Sequence, residues 1–181
     1  MNKTGAKDIW RGSIKRVGSL YVAAGLELEA YRIKELYQES TSEKKSLGGG
    51  CRAGFDSFDK KKGVAGFVTR CRAGSWLQTV QFEDWDAIME LMEGEEGWEP
   101  DRMRDEDFLK KGSDILELLK DSNCIIWCEC PSYRYTYAYL AHQLSYGELG
   151  DAYASPPDKR NPNYDGALCK HLCAVYDQHF R

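Results

Sequence analysis

The sequence predicts an α+β fold, with a small β-hairpin or sheet packed against several helices. Three observations predict it. Two runs rich in β-branched and aromatic residues, GFVTRCR (66–72) and SWLQTVQF (75–82), flank a tight Ala73-Gly74 turn and read as a hairpin. CIIWC (124–128) is short, apolar and β-prone, which marks a buried strand. Several other segments repeat their apolar residues at helical spacing. A chain of 181 residues, 42% of them apolar, suits one domain, or one core with a smaller appendage.

Taken in order, residues 1–18 form a basic arm with Lys3, Lys7, Arg11, Lys15 and Arg16. Residues 19–40 read as a helix capped by Ser19, with Leu20, Ala24, Leu28, Tyr31 and Leu36 on one broad face. STSEKKSLGGG (40–50) reads as a loop. CRAG occurs at 51–54 and again at 71–74, an echo too short to signal duplication, and DKKKG (59–63) between them reads as a turn. EDWDAIMELME (83–93) is a short helix with acids in its first turn, where the helix dipole favours them. Residues 94–108 form an acidic, solvated connector, and Ser113 caps a second short helix, SDILELLKD. The tyrosines at 133, 135, 137 and 139 alternate as in a strand. The proline at 131 and the apolar residues Ala138, Leu140, Ala141 and Leu144 favour a helix instead. Residues 148–166 hold three of the five prolines and read as a loop. ALCKHLCAVYDQHF closes the chain as a helix with Leu168, Leu172, Val175 and Tyr176 on one side. The expected organisation is an arm at 1–18, a helix-hairpin-helix body at 19–123 and a C-terminal unit at 124–181.

Bulk properties narrow the function classes. A net charge of −4 is the wrong sign for a general polyanion binder. No apolar run approaches the ~20 residues a membrane span needs, and MNKTGAKDIWRGSIKRVGS lacks the apolar core of a secretory signal. The expected setting is therefore a reducing cytoplasm, where seven cysteines point to metal ligands or thiols rather than a disulfide framework. HExxH, P-loop, GxGxxG and GxSxG motifs are missing, and His142 and His179 have no triad spacing, so catalytic residues are not expected.

The chemistry concentrates in two pairs, Cys128-Glu129-Cys130 and Cys169-Lys170-His171. A structural zinc site takes four thiolate or imidazole ligands in a tetrahedron. A CxC pair at a strand end can aim two sulfurs at one point if the chain turns sharply, as Pro131 allows. A CxH pair at a helix start can supply the other two ligands. The expected metal ligands are Cys128, Cys130, Cys169 and His171, with Zn2+ as the cofactor. An iron–sulfur cluster drawing on Cys124 and Cys173 is the lesser alternative. On a strand, however, Cys124 stands ~13 Å from Cys128. Cys124 therefore reads as core, and Cys173 as core or support. Cys51 and Cys71, each beside an arginine, read as ordinary thiols first and a second metal pair after that.

This C-x-C…C-x-H order resembles the SWIM-type zinc finger, in which the CxC follows a short strand and the CxH opens a closing helix. The 38 residues between the pairs exceed the usual SWIM spacer, and the tyrosine-rich helix and proline-rich loop account for the excess. CECPSYRYTYAYLAHQLSYG with PPDKRNPNYDGALCKHL also looks like the C-terminal portion of small proteins of tailed bacteriophages. That resemblance implies a virion component of neck, tail or baseplate, or an assembly factor, with other particle subunits as partners. A nucleic-acid-binding module is the alternative, using Lys60, Lys61, Lys62, Arg70 and Arg72 as a patch and Tyr133 to Tyr139 for base stacking.

Overall fold

The protein is described from a computed structural model covering residues 31–40, 50–138, 141 and 168–181. The arm at 1–18, most of the 40–50 loop, His142, Tyr139 and the proline-rich loop lie outside the described residues. The fold is α+β, as the sequence predicts. Five strands, β1 (Tyr31–Arg32), β2 (Arg52–Asp59), β3 (Val64–Cys71), β4 (Gly74–Phe82) and β5 (Asn123–Cys128), form one sheet in the order β1-β5-β4-β3-β2. Every neighbouring pair is antiparallel.

Strand periodicity sorts the side chains. Along β5, Cys124, Ile126 and Cys128 are buried while Ile125 and Trp127 are half-buried. The hairpin foreseen around Ala73-Gly74 is the β3–β4 connection, with Cys71 opposite Gly74. β2 was not foreseen, because its glycine, aspartates and serine have poor strand propensity. Its pairing with β3 overrides that preference, with a register shift between Phe55 and Ser57.

The DKKKG turn joins β2 to β3. The Asp59 carboxylate accepts from the Lys61 N–H at 3.0 Å and the Lys62 N–H at 3.2 Å. Gly63 closes the turn at φ +63°, where a Cβ would meet Trp85 Cγ at 2.4 Å. Trp85 is fixed there by its ring N–H, which donates to the Lys60 carbonyl at 2.8 Å.

Helices α1 (Ile33–Glu39), α2 (Trp85–Met92), α3 (Asp114–Asp121) and α4 (Lys170–Val175) supply the other layer. The helix expected over 19–40 is corrected at Tyr31–Arg32. That pair extends the sheet beside Asn123 and Cys124. Ser113 caps α3 as expected, its hydroxyl accepting from the Leu116 N–H at 3.3 Å. The acidic connector is corrected in part: it is largely exposed, but its end forms a 3₁₀ turn, Asp105–Leu109, that buries Phe108 and Leu109. Phe108 stacks on Phe58 with ring centroids 4.7 Å apart. The tyrosine segment is helical, with a widened π turn at Tyr133–Tyr137. α4 was expected to be apolar on one side, yet Leu172, Cys173, Ala174 and Val175 are all buried, so it is enclosed on every face. It runs into a second π turn, Tyr176–Phe180. No helix among the described residues is long and apolar enough to cross a membrane.

Gly63→Ala therefore meets two penalties, a left-handed backbone and an overlap with the indole. It is expected to destabilise the fold by about 2 kcal/mol or more. Chemical denaturation measures this, and an unchanged midpoint would refute the Gly63–Trp85 packing.

Candidate metal centre

Cys128 ends β5 on its buried side, and the next residue turns the chain. The Glu129 N–H donates to the Leu77 carbonyl at 3.0 Å, and the Glu129 carboxylate accepts from the Leu77 N–H at 3.2 Å. This double tie to β4 fixes the CxC pair at the strand end. Cys130 then opens the helical tyrosine segment, its carbonyl accepting from the Arg134 N–H at 3.0 Å. Its sulfur accepts from the Tyr133 N–H at 3.2 Å. On the other side, Cys169 is the residue before α4, in extended conformation, and His171 lies in the first turn of that helix.

These elements bring the two pairs together. The donor atoms of Cys128, Cys130, Cys169 and His171 all lie within 4.8 Å of one another, and all four residues are buried. A zinc tetrahedron with Zn–S bonds of about 2.3 Å holds its sulfurs about 3.8 Å apart. The group therefore needs only a small contraction to surround one ion. Cys128 Sγ lies 3.9 Å from His171 Nδ1. His171 is 2% exposed, and its Nε2 has no hydrogen-bond partner among the described residues. An imidazole and three sulfurs, buried around one point, are the donor set of a structural metal ion.

The sulfurs divide their charge unequally. Burial pushes the Cys128 thiol up to about 12. Burial also raises the Cys169 thiol well above its ordinary value. Cys130 shifts the opposite way. Hydrogen bonds from the Cys128 and Cys169 side chains hold its thiol below the usual range, helped by His171 and the Tyr133 N–H. Burial thus favours the thiol at Cys128 and Cys169, while hydrogen bonding favours the thiolate at Cys130.

Two supporting residues escaped the sequence reading. The Gln78 side-chain amide donates to Cys128 Sγ at 3.5 Å and to the Trp76 carbonyl at 2.7 Å. Its oxygen accepts from the buried Thr69 hydroxyl at 2.7 Å. The signal for Gln78 was its phase, because it alternates with Val80 and Phe82 on the inward side of β4. Trp76 shares that phase, and its ring centroid lies 5.9 Å from that of His171.

Other candidates separate. Cys124 and Cys173 are buried, yet neither joins a metal-ligating group among the described residues, so the iron–sulfur alternative loses the two sulfurs it drew on. Cys51 and Cys71 were expected to remain thiols, and the structure joins them in a disulfide. The cause is register: Arg52 pairs with Arg70, so the CRAG echo sets the two cysteines opposite each other at the ladder's end. The basic patch also divides. Lys61 and Lys62 are exposed at one end of β3, and Arg70 and Arg72 are exposed at the other, eight residues or about 25 Å away. Lys60 is half-buried beside Asp105 at 3.6 Å. Tyr133 and Tyr137 are buried and unable to stack on bases, which among the described tyrosines of that run leaves Tyr135, 47% exposed. His179 packs against Phe67, and burial lowers its pKa.

Comparison with protein-family models, curated proteins and solved structures finds no match to this chain.

Binding one ion through three thiolates displaces the protons of Cys128 and Cys169. Both thiols are shifted upward, so both protons are held through neutral pH and must leave for the metal to enter. Apparent affinity is therefore expected to rise with pH, approaching about 100-fold per unit between roughly pH 6 and 8. Competition with a chromophoric chelator, corrected for the chelator's own protonation, measures the slope. A pH-independent affinity would contradict this charge distribution.

Proposed function

We propose that this chain is a non-enzymatic, zinc-stapled structural or interaction protein. The observation that carries the proposal is the buried, closed donor set of Cys128, Cys130, Cys169 and His171. Four protein donors complete a tetrahedron and leave no position for a reacting water, which is the arrangement of structural zinc. Three sulfurs and one imidazole favour zinc over harder cations. The ion's role is to join the end of β5 and the tyrosine segment to the first turn of α4. The CxC at a strand end and the CxH at a helix start support the SWIM-like reading.

The setting we favour is a tailed-phage particle, as a neck, tail or baseplate component or an assembly factor, on the resemblance of residues 128–172 to such proteins. Exposed Leu91, Leu77 and Tyr135 support packing against other subunits. A nucleic-acid-binding role is the second reading. It now rests on Arg52, Arg70 and Arg72, which are exposed together at one end of the β2–β3 ladder.

Protein purified without added metal is expected to carry one zinc per chain by elemental analysis. Iron, or no metal, would overturn the zinc assignment. Stripping the ion should cost ~5 kcal/mol or more, which lowers Tm by at least about 10 °C. The chain should also co-purify with intact particles, and particles that lack it would overturn the virion role. DNA affinity that falls steeply with salt would favour the second reading.

A further inference from the structure

We propose that the Cys51–Cys71 disulfide is a redox gate on the metal centre. Its reduction releases a thiolate that replaces His171 on the ion, changing the donor set from three sulfurs and a nitrogen to four sulfurs. This inference rests on the metal-site reading above and goes beyond it.

The geometry is a shared histidine. A ring nitrogen of His171 and the sulfurs of Cys51 and Cys71 all lie within 4.8 Å of one another, and the same ring completes the Cys128–Cys130–Cys169 group. The two sulfur sets therefore meet at a single imidazole. A ligating histidine is usually held in place by a hydrogen bond from its second ring nitrogen, which makes it hard to displace. His171 lacks that anchor: its Nε2 has no partner among the described residues. Apart from its contacts with the cluster sulfurs, the ring is held by packing against Trp76, so it is the replaceable member of the set. Two of the cysteines are tied from outside the cluster, Cys130 by the Tyr133 N–H and Cys128 by Gln78.

The disulfide is also open to a reductant. Cys51 and Cys71 are half-buried, unlike the fully buried sulfurs of the cluster. Exposed Arg52, Arg70 and Arg72 flank them. Positive charge beside a sulfur draws in an attacking thiolate and stabilises the one released. It also offsets the negative charge a fourth thiolate would bring to the ion.

The reductant is a dithiol. One of its thiolates attacks a sulfur of the Cys51–Cys71 bond, breaking it and forming a mixed disulfide. The second thiol then displaces the bound sulfur. Two electrons and two protons pass to the chain, giving two cysteine thiols and the oxidised, cyclic reductant. One thiol then loses its proton, binds the ion and releases His171, whose freed nitrogen can take that proton. While oxidised, neither sulfur is a thiolate, so neither can compete.

Cobalt reports the donor set. The chain is loaded with Co2+ while oxidised and its spectrum is recorded. It is then treated with a trialkylphosphine, which with water converts the disulfide to two thiols and itself to the phosphine oxide. Reduction is expected to shift the ligand-field bands to lower energy. The sulfur-to-cobalt charge-transfer intensity should rise by about one third, as three thiolates become four. The double variant Cys51→Ser/Cys71→Ser should keep the oxidised spectrum whether or not phosphine is present. His171→Ala should bind Co2+ tightly only after reduction. An unchanged wild-type spectrum, once alkylation has confirmed two new thiols, overturns the gate, and so does a response in the double variant. The wild-type comparison decides even if His171→Ala fails to fold. Failure of oxidised wild type to bind Co2+ at all would sink the metal reading itself, whereas binding with a redox-blind spectrum sinks only the gate.

Discussion

Four side chains from two distant stretches of sequence converge on one buried point, where the end of β5 and the start of α4 meet. Burying three sulfur groups and an imidazole carries a cost. Burial raises the Cys128 and Cys169 thiols, and hydrogen bonds from their side chains lower that of Cys130. A divalent cation resolves these together. It would neutralise the thiolates and take a lone pair of the imidazole, whose Nδ1 faces Cys128 Sγ at 3.9 Å. Its binding free energy, of order 10 kcal/mol in small zinc peptides, is comparable to the whole stability of a typical domain.

The rest of the fold places the four donors. β5 presents Cys128 because alternate residues of a strand share a face, and that face is the core side on which Ile126 also lies. Glu129 then ties back to Leu77, which directs the second sulfur around the strand end. α4 packs against β2, β3 and β4 of the sheet, and its residues from His171 to Val175 are all buried. Gln78, braced by Thr69, lends Cys128 a hydrogen bond from the neighbouring strand. The centre is a junction of β4, β5, the tyrosine segment and α4, which suits a staple better than a reactive cleft.

The β2–β3 ladder meets the same junction from its other side. Its end brings Cys51 and Cys71 together and sets the pair beside His171. His171 is thus the point where a sheet edge carrying three exposed arginines touches the metal cluster. A single residue thus separates the Cys51–Cys71 pair from the Cys128–Cys130–Cys169 sulfurs.

How much of this was legible in the sequence follows from the range of each interaction. Strand alternation marked CIIWC, the Ala73-Gly74 hairpin and, in hindsight, Gln78, because period-two burial is a local signal. The Ser113 cap and the short helix over 85–92 were likewise local. The pairing of CxC with CxH was readable because a tetrahedral ion needs four donors and the chain offered two tight pairs. Tertiary structure alone decided the rest. β2 became a strand through its neighbour's hydrogen bonds, against its own composition. Tyr31–Arg32 left a helical pattern to join β5, because an open sheet edge was there to be paired. The tyrosines split between core and surface according to what packed over them. The meeting of the disulfide with His171 depends on register across β2 and β3 and on where α4 docks, and neither is written in any local stretch of residues.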